Sequence, residues 1–148
     1  IESMDVKDGE RGLVSLMVQL NKAIHRRSSE EMLGMRLKAY MTLGHIRDHQ
    51  RTTQQELESA LVMDANSVVL ILNELEARGF SIRRRDPQDR RRHMVEVTSA
   101  GRRALERADK AREALEDELL APLSAEERKS LHKLVERVLD GVLQESRA

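Results

Sequence analysis

The spacing of apolar residues changes once along this chain, and that change restricts the folds it can adopt. On both sides of residues 80–97, apolar residues recur every three or four positions, which is typical of amphipathic helices. Within that segment Phe80 and Ile82 alternate with polar residues, Asp86-Pro87-Gln88-Asp89 has the composition of a turn, and residues 94–97 resume strand character. The sequence therefore predicts a mainly α-helical protein with one small β-hairpin.

Six helices are predicted around this hairpin. They cover approximately residues 10–27, 35–49, 54–61, 65–78, 100–120 and 125 onwards. In the second helix, one face carries Leu37, Tyr40, Met41 and Gly44. The core must be built from aliphatic residues, since the chain has one Tyr, one Phe and no Trp.

Residues that favour helix ends mark several of these boundaries. Capping boxes are predicted at Thr53-Gln54-Gln55-Glu56 and at Ser124-Ala125-Glu126-Glu127. Asp64 and Thr98 are suited to begin the helices that follow them, and Gly79 is suited to end the helix before it. The short helices on either side of Val62-Met63-Asp64 then form a helix-turn-helix, and the hairpin directly after it makes that motif winged.

Positive charge is concentrated in the same part of the chain. The formal net charge of the whole sequence is zero, but residues 78–103 contain nine arginines against Asp86, Asp89 and Glu96. Local charge matters more than net charge when a polyanion is bound. In a winged motif of this kind, the second helix enters the major groove of DNA and the hairpin places arginine near the minor groove. The expected partner is therefore double-stranded DNA.

Four segments of the chain resemble the MarR family of bacterial regulators. They are Leu75-Glu76-Ala77-Arg78-Gly79-Phe80, Arg83-Arg84, Asp86-Pro87-Gln88-Asp89-Arg90-Arg91, and Val95-Glu96-Val97-Thr98-Ser99-Ala100-Gly101. The chain departs from the family pattern at Val97, where Leu is usual, and at Val69 and Leu70, where the family often has Thr and Arg.

The resemblance implies a single domain over residues 1–148 that forms a homodimer. Residues 10–34 and 100–148 would supply the dimerisation helices, and residues 35–99 the winged helix-turn-helix lobe. A repressor of this kind would bind a pseudo-palindromic operator and be released by a small ligand, often aromatic and anionic. The resemblance also makes Arg91 the minor-groove arginine, because the family places that residue two positions after the wing aspartate, and Asp89 would then hold it by a salt bridge.

Further residues are expected at the DNA from their chemistry and position. Asn66 and Ser67 can hydrogen-bond to bases, Val69 can contact a thymine methyl group, and Gln54 and Gln55 begin a helix where phosphate contacts are common. At least one of the three arginines 83–85 is expected to pair with Asp86 or Glu96. The predicted DNA-binding set is Gln54, Gln55, Asn66, Ser67, Val69, Asn73, Arg84, Asp89, Arg90, Arg91 and Arg92.

A ligand-binding set is expected on the strength of the resemblance. It consists of Met17, Leu20, His25, Leu37, Tyr40, Met41 and His45. Met17, Leu20, Leu37, Tyr40 and Met41 are equally explained as core residues. His25 and His45 are expected at the edge of either a ligand pocket or the dimer seam. His45 and His49 have a spacing that suits a metal ion, but few other ligands are near them in the sequence, so neither a metal site nor a cofactor is predicted.

Other functional classes are less well supported by the sequence. No Gly-rich phosphate loop, Cys nucleophile or recognisable catalytic triad is present, so an enzyme is not expected. The absence of Cys excludes disulfides, and no apolar run is long enough to span a membrane, so a cytoplasmic location is predicted. The alternative is a helical interaction module that does not bind DNA, but such a module would not need the arginine-rich hairpin.

Overall fold

The structure is a computed structural model that describes residues 12–147. Over this range the chain forms seven helices and three strands. They are α1 (Leu13–Arg27), α2 (Glu30–Leu33), α3 (Leu37–Asp48), β1 (Arg51–Thr53), α4 (Gln54–Leu61), α5 (Ala65–Ala77), β2 (Ser81–Arg85), β3 (His93–Val97), α6 (Ser99–Leu119) and α7 (Ala125–Arg147). The predicted start of the first helix at residue 10 lies outside the described residues.

The mainly helical fold with a winged helix-turn-helix is confirmed. Among the helices that the structure describes, none has the length and apolar content needed to cross a membrane. Both predicted capping boxes are present: Thr53 and Glu56 exchange hydrogen bonds at the start of α4, and Ser124 and Glu127 do so before α7. The Asp64 side chain accepts a hydrogen bond from the Ser67 N–H and caps α5. These local signals were sufficient to locate the helix ends because each satisfies backbone donors that the helix cannot.

The sheet has one strand more than the predicted hairpin. Strand β1 pairs antiparallel with β3, which also pairs with β2, so the order is β1-β3-β2. Thr52 lies opposite Val95 and is buried. The sequence analysis missed β1 because it has only three residues and no apolar alternation. Its conformation is supplied by its partner strand rather than by its own residue pattern.

A short helix was also missed. The four residues of α2 form one turn, capped at its start by Ser29, whose hydroxyl accepts a hydrogen bond from the Met32 N–H at 3.2 Å. Gly34 ends it with a φ of 79°, a left-handed conformation that glycine adopts without a steric penalty. Gly34 thus ends α2 directly before the predicted second helix. One turn is too short for an apolar period to reveal.

Helix α3 lies at the centre of the core. Its buried residues are Ala39, Tyr40, Thr42, Leu43 and Ile46. The predicted face is therefore rotated from the observed one, and Met41 on that face is 44% exposed. The reason is that other elements pack against α3 on two sides, so its buried residues do not form a single stripe.

Two aliphatic clusters meet at α3. One joins α2 and α3 to α5 and α6 and contains Leu33, Met35, Ala39, Tyr40, Leu43, Ile71, Leu75, Ala104, Leu105 and Ala108. The other lies beneath the sheet and contains Ile46, Leu57, Val68, Leu72 and Val95. On α5 the buried residues are Val68, Ile71, Leu72 and Leu75. The core thus fixes which face of α5 remains available to a partner.

The end of α5, both ends of the hairpin and the start of α6 meet at one junction. The Thr98 N–H donates to the Phe80 carbonyl at 3.0 Å, and the Thr98 hydroxyl donates to the Gly79 carbonyl at 2.6 Å. The same hydroxyl accepts from the Gly101 N–H at 3.0 Å and so caps α6. Gly79 has a φ of 76°, which allows the chain to turn from helix to strand.

Replacing Gly101 with alanine should destabilise the protein, because the helix passes very close to the hairpin there. A Cβ at Gly101 would lie 2.2 Å from the Phe80 carbonyl oxygen and 2.8 Å from Val97 Cγ1. We expect Gly101→Ala to lower the free energy of unfolding by about 2–3 kcal/mol, measured by urea denaturation at a fixed protein concentration.

Gly44→Ala is the matched control, because no heavy atom lies within 4 Å of a Cβ built at this position inside α3. That variant should gain about 0.5–1 kcal/mol from the better helix propensity of alanine. Similar effects of the two substitutions would contradict the close approach at Gly101.

Candidate nucleic-acid interface

Helices α4 and α5 form the helix-turn-helix. Val62 ends α4 in a left-handed conformation, with φ 53° and ψ 53°, and the Met63 N–H donates back to the Glu58 carbonyl at 3.0 Å. Asp64 then begins α5 through a hydrogen bond of 2.7 Å from the Ser67 N–H to its side chain. The hydrogen bonds from Ser67 lower the pKa of Asp64. The predicted turn at residues 62–64 is thus confirmed, and it sets the angle at which α5 leaves α4.

The outward face of α5 carries the residues predicted to contact bases. Asn66 is exposed, and no described residue hydrogen-bonds its side chain. Ser67 and Val69 are half-buried. Asn73 is exposed, but its side chain is already hydrogen-bonded to Arg83. The most protruding apolar side chain on this face is Leu70, which is 59% exposed. The sequence analysis identified Leu70 as a departure from the family pattern but did not place it in the DNA-binding set.

Arg83 connects the hairpin to α5, the second helix of the helix-turn-helix and its predicted DNA-recognition helix. Its Nη2 donates to the Asn73 Oδ1 at 2.7 Å, and its Nε lies 3.5 Å from a Glu76 carboxylate oxygen. The Nε is buried and has no hydrogen bond within the described residues, since 3.5 Å is a charge contact rather than a well-formed bond. Arg83 therefore positions Asn73 and holds β2 against α5, which is a structural role.

The turn of the hairpin is organised by two aspartates. Asp86 accepts a hydrogen bond from the Gln88 N–H at 2.9 Å, and Asp89 accepts from the Arg91 N–H at 3.1 Å. The Arg91 Nε also donates to Asp89, at 3.2 Å. This is the salt bridge predicted for Asp89, and the Arg91 side chain is nevertheless 91% exposed. The turn thus presents one guanidinium, held at its base and free at its tip.

Most other arginines of the hairpin are bonded within the protein. Arg84 pairs with Glu96 at 3.1 Å, as expected for at least one of residues 83–85. Arg92 approaches Asp86 at 3.4 Å, and the Arg85 Nη1 donates to the Arg90 carbonyl at 2.7 Å. Within residues 12–147, the Arg90 side chain has no such partner. Arg90 and Arg91 are thus the cations of the hairpin best placed to meet an external anion.

Gln54 and Gln55 lie in the first turn of α4, as predicted. The Gln54 Nε2 donates to the Glu58 carboxylate at 3.4 Å. Gln55 is exposed and lines a cleft of about 450 Å³ that also contains His45, His49 and Arg92. The cleft joins the end of α3 and the start of α4 to the hairpin.

The two histidines in that cleft form a stacked pair, with ring centroids 3.9 Å apart. The His49 Nδ1 is hydrogen-bonded to the His45 carbonyl at 2.8 Å. Burial lowers the pKa of His45, and the nearby His49 lowers it further. Across the part of the chain that the structure describes, no group of three or more potential metal ligands comes together.

A cavity of about 620 Å³ lies between α1, α6 and the helix-turn-helix lobe. Four of the predicted ligand-binding residues line it, namely His25, Leu37, Tyr40 and Met41. The other three do not. Met17 and Leu20 are about half exposed on α1, and His45 lies in the cleft described above. Periodicity on one helix cannot show which of its faces borders a cavity, so it could not separate these three residues from the other four.

Two residues that line this cavity, Tyr40 and Arg112, belong to a polar network. The Tyr40 hydroxyl donates to Asp109 at 2.5 Å and accepts from the Arg112 Nε at 3.0 Å, and Arg47 donates to Asp109 at 2.8 Å. Burial raises the pKa of Tyr40, as does its bond to Asp109. Burial also acts to raise the pKa of Asp109, but hydrogen bonds from Tyr40 and Arg47 leave it below its ordinary value. Sequence analysis missed Asp109 and Arg112, which are far from Tyr40 in the chain.

Comparison with known proteins identifies the same motif. The family model described as "MarR family" matches residues 36–93. The HTH-type transcriptional regulator YdgJ of Bacillus subtilis is 34% identical over 90 residues, which are 61% of this chain and 55% of that protein. The HTH-type transcriptional repressor NicR of Pseudomonas putida is 30% identical over 101 residues, 68% of this chain and 64% of that protein. The matches thus cover less than two thirds of these relatives, whose names are those of regulators and not of enzymes.

Solved structures extend the similarity over nearly the whole chain. A crystal structure of MarR superimposes with a TM-score of 0.82 at 25% identity, covering 97% of each chain. A mutant of MarR from E. coli, complexed with operator DNA, gives a TM-score of 0.76 at 27% identity, over 86% of this chain and 93% of that one. Together with the winged helix-turn-helix and the hairpin motif, these matches show that residues 36–93 carry a MarR-family motif and that the chain shares the overall fold of MarR.

Proposed function

We propose that this chain is a transcriptional regulator that binds double-stranded DNA as a homodimer. The observation that carries the proposal is the wing, in which Arg91 is braced by Asp89 yet almost fully exposed. A similar protein, the MarR mutant described above, has been crystallised with operator DNA. A guanidinium held at its base loses little conformational freedom on binding, which favours contact with a negatively charged groove.

The two parts of the motif would contact different features of the duplex. Helix α5 would enter the major groove with Asn66 foremost, and the wing would follow the backbone and insert Arg91 into the minor groove. Gln54, Gln55, Arg90 and Arg92 would contact phosphates. Arg84 is bonded to Glu96, so its contribution would be to the shape of the wing and to the local potential.

Two apolar stripes support the homodimer. On α1 the exposed apolar side chains are Leu13, Val14, Leu16, Met17, Val18 and Leu20. On α7 they are Leu131, Leu134, Val135, Val138, Leu139 and Val142. Contiguous apolar stripes on two helices are rarely left in water and mark an interaction surface. A second copy of the chain can cover both stripes and would place two winged motifs on a pseudo-palindromic site.

The cavity beside Tyr40 supports control by a small ligand. It lies between the helices proposed to form the dimer and the lobe proposed to bind DNA, so its occupant would alter the spacing of the two motifs. Arg112 at its wall suits an anion, and Leu37, Met41 and Leu115 suit an apolar or aromatic body. We infer repression as the mode of action, with release on ligand binding. Because a regulator of this kind must reach the DNA, we predict that the protein is located in the cytoplasm.

The wing arginine should contribute more to binding than a phosphate contact does. On duplexes selected from a random library, Arg91→Ala should lower affinity by at least about tenfold, or ~1.4 kcal/mol. The loss should be greatest where the flanks are A·T-rich, because a narrow minor groove focuses negative potential on the guanidinium. Asp89→Ala should give a milder loss, since it removes only the brace. Fluorescence anisotropy on duplexes with A·T and G·C flanks measures all of these values.

Arg102→Ala is the control for this series, because Arg102 is exposed on α6 beyond the wing. It should change affinity little and equally on both flanks. If Arg91→Ala behaves like Arg102→Ala, the wing does not enter the minor groove.

A charge placed in the α7 stripe should disrupt the dimer. Leu134 and Val138 are 53% and 59% exposed in the single chain, and a dimer interface would bury both. Leu134→Glu and Val138→Glu should each give unfolded or monomeric protein with weakened DNA binding, because an unpaired carboxylate is costly to bury. Lys133→Glu, a neighbouring exposed residue outside the stripe, should remain dimeric. A folded monomeric wild type in analytical ultracentrifugation would refute the dimer.

Filling the cavity should uncouple DNA binding from the ligand. With benzoate as the probe, we expect millimolar concentrations to raise the melting temperature and to weaken DNA binding by the wild type. Met41→Trp places a large side chain at the cavity wall and should bind DNA normally while losing both responses. Met41→Leu is the conservative control and should retain them. No response of the wild type to benzoate would show that small aromatic carboxylates are not the ligand class.

A further inference from the structure

The outward face of the recognition helix α5 carries no charge over most of its length. From Ala65 to Asn73 the helix has no Lys, Arg, Asp or Glu, and the first charged residue is Glu74. Asn66, Val69, Leu70 and Asn73 follow an i, i+3, i+4, i+7 spacing and therefore share one face. Leu70 is the most exposed apolar residue of that face, at 59%. The helix thus offers an aliphatic side chain between two amides.

Leu70 is not needed to complete the protein core. The opposite face of α5 already buries Val68, Ile71, Leu72 and Leu75 at 2% exposure or less. An isolated apolar residue on a surface is ordinary in itself. Here, however, it lies in the middle of the helix face that the proposed function places in the major groove.

The amides on either side of Leu70 differ in what they can offer. The Asn73 carbonyl oxygen already accepts a hydrogen bond from Arg83 at 2.7 Å, so Asn73 is held against the wing. Asn66 has no such bond within the described residues and can present both its N–H and its carbonyl. An amide with both groups free matches the N7 acceptor and N6 donor of adenine.

Among the base-pair features of the major groove, an aliphatic side chain matches only the thymine methyl group. Guanine is most often read by Arg or Lys, and α5 has neither between residues 65 and 77. The residues on the outward face of α5 therefore cannot make the commonest guanine contact, and they favour A·T pairs.

We propose that Leu70 is a specificity-determining residue that contacts a thymine 5-methyl group in each half-site, with Asn66 reading an adenine beside it. This inference rests on the proposed DNA-binding function. It shifts thymine recognition from Val69, which is half-buried, to Leu70, which protrudes. It also gives a role to Leu70 at a position where the family often has Arg.

The test removes single methyl groups from the DNA. Duplexes are selected from a random library by the full chain, and each thymine is then replaced with deoxyuridine, which lacks only the 5-methyl group. One thymine in each half-site should be sensitive, with a loss of about fourfold per methyl in anisotropy titrations at one salt concentration. Leu70→Ala should bind more weakly and show no penalty at that thymine, because the contact is already absent.

Arg91→Ala is the matched control. It should lower affinity overall but keep the full deoxyuridine penalty, since the wing does not read the methyl group. Circular dichroism should show that Leu70→Ala folds as the wild type does, because the side chain lies outside the core.

The outcomes separate the inference from the proposed function. If selected duplexes bind specifically but no thymine responds to deoxyuridine, or if the penalty persists in Leu70→Ala, the role of Leu70 is wrong and the DNA-binding function stands. If selection enriches no sequence at all, the proposed function fails and this inference fails with it.

Discussion

The fold depends on the junction at which the recognition helix ends and helix α6 begins. Thr98 bonds to the carbonyls of Gly79 and Phe80 and caps α6 through Gly101, while the absent side chain of Gly101 lets α6 approach the Phe80 backbone. A movement of α6 must therefore be transmitted to the end of α5 and to both ends of the wing. This is how helices proposed to form the dimer can set the positions of groups proposed to contact DNA.

Only some of the positive charges in the wing are available to an external partner. Arg83, Arg84 and Arg92 contact acidic groups of the same lobe, which organises the hairpin but uses their charge internally. Exposed ion pairs of this kind add little stability, so their value here is in orienting the turn. Arg90 and Arg91 are the exceptions, since the Arg90 side chain has no partner within residues 12–147 and the Asp89 brace leaves the Arg91 guanidinium exposed. A protein of zero net charge can thus carry a localised positive site.

Much of this fold could be predicted from the sequence, because helix caps and apolar periods are local signals. Thr53, Asp64 and Thr98 marked helix starts, and the change of period marked the wing. Strand β1 could not be predicted, since its partner strand supplies its conformation, and α2 could not be predicted because one turn is too short to show an apolar period. At the site, Asp89 and Arg91 were identified through the family motif. Arg112, which lines the cavity, and Asp109, which bonds to Tyr40 beside it, were not identified, because their links to Tyr40 are made only in the folded chain.

We propose that this neutral protein binds duplex DNA through the localised charge of its wing. The most direct test is the affinity of the full chain for a selected duplex and for a random one between about 50 and 200 mM salt. The logarithm of the affinity should fall linearly with the logarithm of the salt concentration, with a slope of several units on both duplexes. The selected duplex should be bound more tightly throughout. Absence of binding to either duplex at the lowest salt, or an affinity that does not change with salt, would contradict it.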